Sequence, residues 1–332
     1  MVKHWQNILL SLGAAGLAYQ LISHFGSWAF DQANWRILTD NWRGILIGRY
    51  PMGAEWRLWL VGGVIALGMV VVKVMPKIWW LNLLLVGLIS GAIGWSQPGA
   101  WQGLWLSLGL TIAGLGGALP LGIGLAWGRQ SSLPILKWLA IAVIELVRGV
   151  PLIALLFVGQ VMLPLLLPLG WQLDRTLRAI ITLSLFAAAY TAENLRGGLQ
   201  SVPRSQYEAA AALGLSSFTT MTLVVLPQAW RAVLPALTNQ TIGLLMDTAL
   251  ASQVGLLEMT GMARSLLAQP QAIGHYGEVY LGVALIYWLM AGTISHFSRR
   301  LEQQHRLNGE APTASGEVTP KRSVDQGHGH RP

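Results

Sequence analysis

Ile78–Gly128 reads IWWLNLLLVGLISGAIGWSQPGAWQGLWLSLGLTIAGLGGALPLGIGLAWG, without one charged side chain. Roughly 18 uncharged apolar residues are enough to propose a membrane-crossing helix. A helix is the form that pairs its own backbone groups where no water can. This run is long enough for two helices, and Gln97-Pro98-Gly99 supplies the turn between them. The rest of the chain agrees. Of its 332 residues 53% are hydrophobic and only 11% charged, against about 25% charged in soluble domains. The reading is an all-α, polytopic membrane protein.

Working outward, apolar segments near 7–24, 57–75, 78–96, 101–127, 134–167, 178–198, 228–257 and 279–298 predict about eight transmembrane helices, with both ends on one side. No small-residue cleavage site precedes the loop after the first segment, so it reads as a retained span rather than a leader. Lys3, Lys73, Lys77, Arg129, Lys137, Arg196, Arg204, Arg231, Arg299, Arg300 and Arg306 fall on the side of the termini and outnumber the basic residues opposite. That makes both termini cytoplasmic. The same rule absorbs the net charge of +8, so no nucleic-acid partner is inferred. Absence of cysteine excludes disulfides and thiolate metal sites.

Three regions follow. Residues 1–99 hold three spans and an outer loop at 25–56, whose Trp28, Trp35, Trp42 and Trp56 read as an interfacial aromatic belt. Residues 100–302 hold five spans and a polar loop at 201–227. Residues 303–332 read as a disordered cytoplasmic tail, in which His328 and His330 are given no metal role.

The 201–227 loop is longer than a connector needs to be. Ser205-Gln206-Tyr207-Glu208 fits a capping box, with Ser205 as the N-cap and Glu208 reaching back to it. Ala209 to Ala212 favour helix, and Gly214 suits the left-handed residue that closes one. The spacing predicts a helix of about eight residues, with Ser216 or Ser217 capping a second. So short a helix is marginal alone in water, and it needs a surface to dock on.

Here the chain resembles a known family. Glu208-Ala209-Ala210, then Gly214, then Leu226-Pro227 at the matching spacing, is similar to the EAA signature of permease subunits in ABC importers. Glu145-Leu146-Val147-Arg148-Gly149-Val150-Pro151, Thr191-Ala192-Glu193-Asn194-Leu195-Arg196-Gly197 and Met246-Asp247-Thr248 resemble the histidine/glutamine class of polar amino-acid permeases. The extra spans resemble the general L-amino-acid branch. Met246 departs from the family, where many relatives carry Lys. The resemblance implies a five-helix core of the type I importer kind over residues 100–302. It implies a coupling helix at Ser205, Glu208, Ala209, Ala210 and Gly214, with Leu226 and Pro227 beyond it. It implies as partners cytoplasmic ATPase subunits, a second permease copy or paralogue, and a periplasmic amino-acid-binding protein, all at the bacterial inner membrane. No cofactor is expected on this chain, since the partner subunit would use ATP.

The residues add their own constraints. Glu145 with Arg148, and Glu193 with Arg196, repeat an i, i+3 spacing that puts each pair on one helix face. Charges inside a bilayer are costly, so they face a partner or a wet path. Both pairs read as braces for helix packing, with contact to substrate as the alternative. Segment 134–167 is too long for one straight span, and Gly149-Val150-Pro151 places a break in it. Asp247 and Thr248 form an intramembrane polar site. Asp247 could receive a substrate amino group or pair with Arg148. Asn239 and Gln240 lie about two turns earlier on the same route.

No Gly-Lys-Ser or Gly-Lys-Thr is present, so the chain has no Walker phosphate loop. Neither His-Glu-x-x-His nor Gly-x-Ser-x-Gly occurs. The reading is a transport subunit rather than an enzyme. The alternative is a stand-alone secondary transporter or channel, for which Glu145, Glu193, Asp247 and Glu258 would have to supply ion coupling.

Overall fold

The computed structural model describes residues 2–74, 101–168, 170 and 172–307. No β-strand occurs among them, only an isolated parallel bridge between Gly103 and Glu258. The elements are α1 (Val2–Ser27, prolonged by a wide turn at Trp28–Gln32), α2 (Arg36–Leu46) and α3 (Trp56–Val74). Then come α4 (Gly103–Gln130), α5 (Pro134–Gly149), α6 (Leu152–Val161) and α7 (Arg175–Ser201). α8 (Arg204–Ala212), α9 (Leu226–Asp247), α10 (Met259–Leu267) and α11 (Tyr276–Leu307) complete the chain, with a tight turn at Thr248–Val254 after α9.

Among the described residues, four stretches are long and apolar enough to cross a bilayer: Trp5–Gln32, Gly103–Gln130, Ser217–Val254 and Tyr276–Arg300. The pair α5 and α6, bent by 110°, makes a fifth if it crosses as one unit. The span expected at 78–96 lies outside the described residues. α7 has 27 residues, roughly 40 Å of helix, but its polar residues keep it out of that set.

The expected break in 134–167 is present, and its cause is local. Val150 is extended (φ −99°, ψ 135°) because the proline ring behind it disfavours helical angles. Pro151 is extended too (ψ 134°), and its carbonyl accepts from Ala154 and Leu155 to start α6. The segment is therefore two helices, not one tilted span.

α7 is the central helix. Its Ala179, Leu183, Ala187 and Ala188 form one core with Leu106, Leu110 and Ala118 of α4, Leu152 and Leu156 of α6, and Leu244 of α9. Small residues set the spacing. A methyl group on Gly117 would meet Ser184 Oγ at 2.4 Å, and one on Gly122 would meet Thr191 Cβ at 2.7 Å. α1 stands apart, with no residue of its apolar window buried.

The outer loop differs from the expected belt. Trp42 and Trp56 are exposed, but Trp28 lies against Gly277 at the start of α11 and stacks edge-on with Trp35. The Trp35 indole N–H donates to the Ala29 carbonyl at 2.8 Å. Between them and α3, α2 buries Ile37 and Ile45 against Met259, Ala263, Leu266 and Leu267 of α10 and Val279 and Val283 of α11. The amphipathic spacing of α2, apolar on one face only, makes the loop a folded cap rather than a row of headgroup anchors.

Candidate functional site

Two features carry the candidate function: the projecting element at 203–227 and a cleft between α7 and α9.

The projecting element begins where α7 ends. Val202 and Pro203 are extended, and Pro203 is the N-cap of α8, with no side-chain cap bond. This corrects the capping-box expectation. Ser205 sits inside the first helical turn, where its backbone has helical angles, so it cannot cap. The proline with its fixed φ of −60° has already started the helix. Glu208 is exposed and caps nothing. The other end forms as expected. Gly214 has φ +72°, a conformation that costs a residue with a Cβ about 1 kcal/mol or more. The Gly214 N–H donates to Ala211 and the Leu215 N–H to Ala210, at 3.0 and 3.1 Å. These two bonds satisfy the last helical carbonyls. Ser216 Oγ then accepts from the Thr219 amide at 3.2 Å, which caps the next turn.

α8 is pinned lightly to the bundle. Ala210 is buried, and the Gln228 side-chain amide donates to Gln206 Oε1 at 3.2 Å. Around it Glu208 and Ala209 are exposed. Leu213 and Phe218, both 78% exposed, extend an apolar surface past the helix end. Leu226 is exposed as well, and Pro227 stands in the first turn of α9.

The cleft is about 350 Å³ and is lined by Phe186, Ala187, Tyr190 and Asn194 of α7 and by Ala236, Gln240, Gly243, Leu244 and Asp247 of α9. Gln240 is fixed in three directions. Its amide donates to the Ala187 carbonyl at 2.7 Å and to Thr191 Oγ1 at 2.9 Å, and its oxygen accepts from Asn194 at 2.8 Å. Asp247 is partly buried and forms no ion pair among the described residues. Its expected pairing with Arg148 is absent. Thr248, fully buried, points its hydroxyl to the Leu245 carbonyl at 2.6 Å and not into the cleft. Asn239 is exposed and does not line the cleft.

The two Glu/Arg pairs resolve differently from one another. Arg196 does pair with Glu193, at 2.8 Å. No ion pair joins Glu145 to Arg148 among the described residues. Arg129, at the end of α4, instead bridges to Glu193 and, at 3.7 Å, to Glu145. Arg148 reaches Glu193 at 3.8 Å and lies over the Tyr190 ring, 5.6 Å from its centre. Glu193 is thus shared by three arginines from three helices.

These features match a known family. Residues 118–305 fit the model of the "binding-protein-dependent transport system inner membrane component". The chain belongs to that family. It is 36% identical over 338 aligned residues to the inner membrane amino-acid ABC transporter permease protein YhdY of Escherichia coli (strain K12), with 92% of this chain and 90% of that protein covered. It is also 36% identical to the glutamate/glutamine/aspartate/asparagine transport system permease protein BztC of Rhodobacter capsulatus, over 77% of this chain and 67% of that one. Among solved structures, "Crystal structure of an amino acid ABC transporter with histidines" matches with a TM-score of 0.56 at 30% identity, covering 60% of this chain and 91% of its counterpart. As a member of this family the chain is a multi-pass membrane component that works with a separate ATPase and a binding protein.

One acid, named from the sequence only as an ion-coupling candidate of the alternative reading, has a structural role that no sequence reading gave it. Glu258, with no exposed surface, caps α10 through the Thr260 and Gly261 amides at 2.8 and 2.7 Å. It also accepts from the Tyr287 hydroxyl at 3.0 Å and from Ser107 at 3.3 Å. Burial pushes its carboxyl above the ordinary carboxylate range, and the four hydrogen bonds hold that rise back. The available signal was an acidic residue just ahead of a predicted helix start, the ordinary mark of an N-cap.

Proposed function

We propose that this chain is the transmembrane permease subunit of an ATP-driven amino-acid importer, forming the translocation path and coupling to a separate ATPase. The observation that carries the proposal is α8 itself. It is a nine-residue helix held by its own caps between α7 and α9, with Glu208 and apolar Leu213 and Phe218 turned outward and unpartnered among the described residues. A helix so short gains stability from a docking surface, and a groove on a cytoplasmic ATPase supplies one.

In this reading Glu208, Ala209, Ala210 and Gly214 form the contact, with Leu226 and Pro227 fixing the return into α9. Ser205 contributes exposed surface rather than a cap. Residues 100–302 form the permease core. Residues 1–99 are an added outer unit, and residues 303–332 form a cytoplasmic tail. Both termini face the cytoplasm. A second permease subunit and a periplasmic amino-acid-binding protein complete the assembly. The chain binds no cofactor, and ATP is used by the partner.

The cleft between α7 and α9 is the substrate path. Asp247 offers a carboxylate to an ammonium group, and Tyr190, Asn194 and Gln240 offer neutral partners. Glu145, Arg148, Glu193 and Arg196 brace the helices beside it.

Uptake of a labelled amino-acid mixture in cells lacking the chain, with and without its return, tests the proposal when joined to a pull-down. Loss and rescue of uptake are expected, with an ATPase subunit in the pull-down that Glu208→Lys removes. Normal uptake in the deletion strain and no ATPase partner would overturn it.

A further inference from the structure

Arg129 lies at the last turn of α4 and joins helices that the sequence treats as separate. It donates directly to Glu193 of α7, and its contact with Glu145 of α5 is longer, at 3.7 Å. The other link from α5, Arg148 to Glu193, is also long, at 3.8 Å. Glu145 is 59% exposed against 14% for Glu193. The cluster therefore has one tight joint, between α4 and α7, and two loose ones to α5.

Backbone packing points the same way. Gly114, Gly117 and Gly122 bring α4 against Leu183, Ser184 and Thr191 of α7, and at Gly117 and Gly122 there is no room for a methyl group. The α5 helix packs on α4 and α7 through Ile144, against Ala126 and Ala192, and then turns by 110° into α6. α7 itself connects the two functional features. Tyr190 and Asn194 line the cleft on either side of Glu193, and its last residue, Ser201, leads through Val202 and Pro203 into α8.

A displacement of α8 enters α7 through that short linker, and it reaches α9 through the Gln206–Gln228 contact. If α7 shifted alone, the glycine-spaced contact with α4 would open into a void, at a cost in lost contacts. A guanidinium nitrogen held by a carboxylate at the α8 end resists this, because a hydrogen bond between charged groups is about twice as strong as a neutral one. Ion contacts near 3.7–3.8 Å beside solvent, such as those of Glu145 and Arg148, are weak and exchange at little cost.

We infer that Arg129 is a positioning residue of the transport cycle: it locks α4 to α7 so that a displacement of α8 moves both helices, and with them the α7 wall of the cleft, as one body. α5, which packs on both through Ile144 but carries only the two longer ion contacts, adjusts against them. The inference rests on the reading of α8 as the coupling element.

The test uses the whole complex, purified with its ATPase subunits, supplied with its binding protein and reconstituted in liposomes with a labelled amino-acid mixture. The readout is amino acid moved per ATP hydrolysed. Arg129→Ala is expected to retain the ATPase subunits and to lower that ratio about tenfold, within the range of coupling changes of roughly 0.5–2 kcal/mol. An unchanged ratio in Arg129→Ala overturns the inference. If that variant does not accumulate, Arg129→Gln serves in its place. It keeps much of the length but loses the charge, and an unchanged ratio there overturns the inference equally. Glu208→Lys is measured alongside. If it keeps its ATPase, the reading of α8 has failed, which is a separate result from a failure at Arg129.

Discussion

Glu193 and Glu258 each hold three helices together, but with opposite chemistry. Glu193, 14% exposed, takes three guanidinium groups from α4, α5 and α7. Glu258, with no exposure, takes two backbone amides and two hydroxyls, all neutral, from α4, α10 and α11. Charged pairs near water exchange partners at low cost. The Thr260 and Gly261 amides are fixed by backbone around the buried carboxylate, so removing it leaves them unsatisfied, while Ser107 and Tyr287 lie 3.4 Å apart and can turn to each other. The difference assigns roles. The end near α8 joins one lock, Arg129 on Glu193, to longer contacts from α5 that can exchange, and the opposite end is built to stay.

Gly103 reinforces that assignment. It has φ +60° and donates to the Leu257 carbonyl at 2.8 Å, next to Glu258. A methyl group on it would sit 2.3 Å from the Ile45 carbonyl oxygen at the end of α2. The outer cap, the core helix α4 and α10 therefore meet where only glycine fits. Asn34 adds a further tie, its amide donating to Glu278 Oε1 at 3.0 Å, where His275 also binds.

The comparison can be broken at either end. The largest effect is expected from Glu258→Ala, which strands the Thr260 and Gly261 amides at about 1–3 kcal/mol each and empties a fully buried site. Thermal unfolding of the detergent-solubilised protein should drop by many degrees. A shift no larger than that of Arg129→Ala would remove the contrast. Gly103→Ala comes next, with a strain of roughly 1–3 kcal/mol. It should raise protease sensitivity of the segment 28–56, and unaltered cleavage would mean the cap is not anchored there. Gly214→Ala is smaller. Nothing lies within 4 Å of the added methyl, so only the left-handed conformation opposes it, at about 1 kcal/mol. Partial loss of uptake with a near-normal melting temperature is expected. Glu145→Gln should be smallest of all, since that carboxylate is 59% exposed and 3.7 Å from its partner. A marked loss of uptake there would show that α5 is not loosely held.

The backbone demands of proline and glycine were legible in the sequence, and the choice of partner across helices was not. Pro151 disfavours helix at Val150 in any surroundings, and Gly214 is free to be left-handed in any surroundings, so both were legible. The capping box failed because Pro203, two residues before Ser205, starts the helix earlier. Glu145 and Arg148 share a helix face, yet each finds a closer partner on another helix. An i, i+3 rule cannot see Arg129, which is 64 positions from Glu193. The tryptophans of the outer loop suggested a belt because composition does not reveal that Gly277 leaves a seat for Trp28. Asp247 was legible as an intramembrane acid, but its neighbours across the cleft come from α7.

The central claim is that α8 is the surface met by the ATPase. The chain contains no cysteine, so a single Leu213→Cys on α8 and a single Phe30→Cys on the outer cap give two unambiguous probes. In membranes from cells making the whole complex, a short thiol crosslinker should join Leu213→Cys to the ATPase subunit, identified by its Walker phosphate loop in mass spectrometry. Phe30→Cys should give no such product. Absence of the crosslink at Leu213→Cys, or its labelling by a membrane-impermeant thiol reagent added outside the cell, would contradict the account.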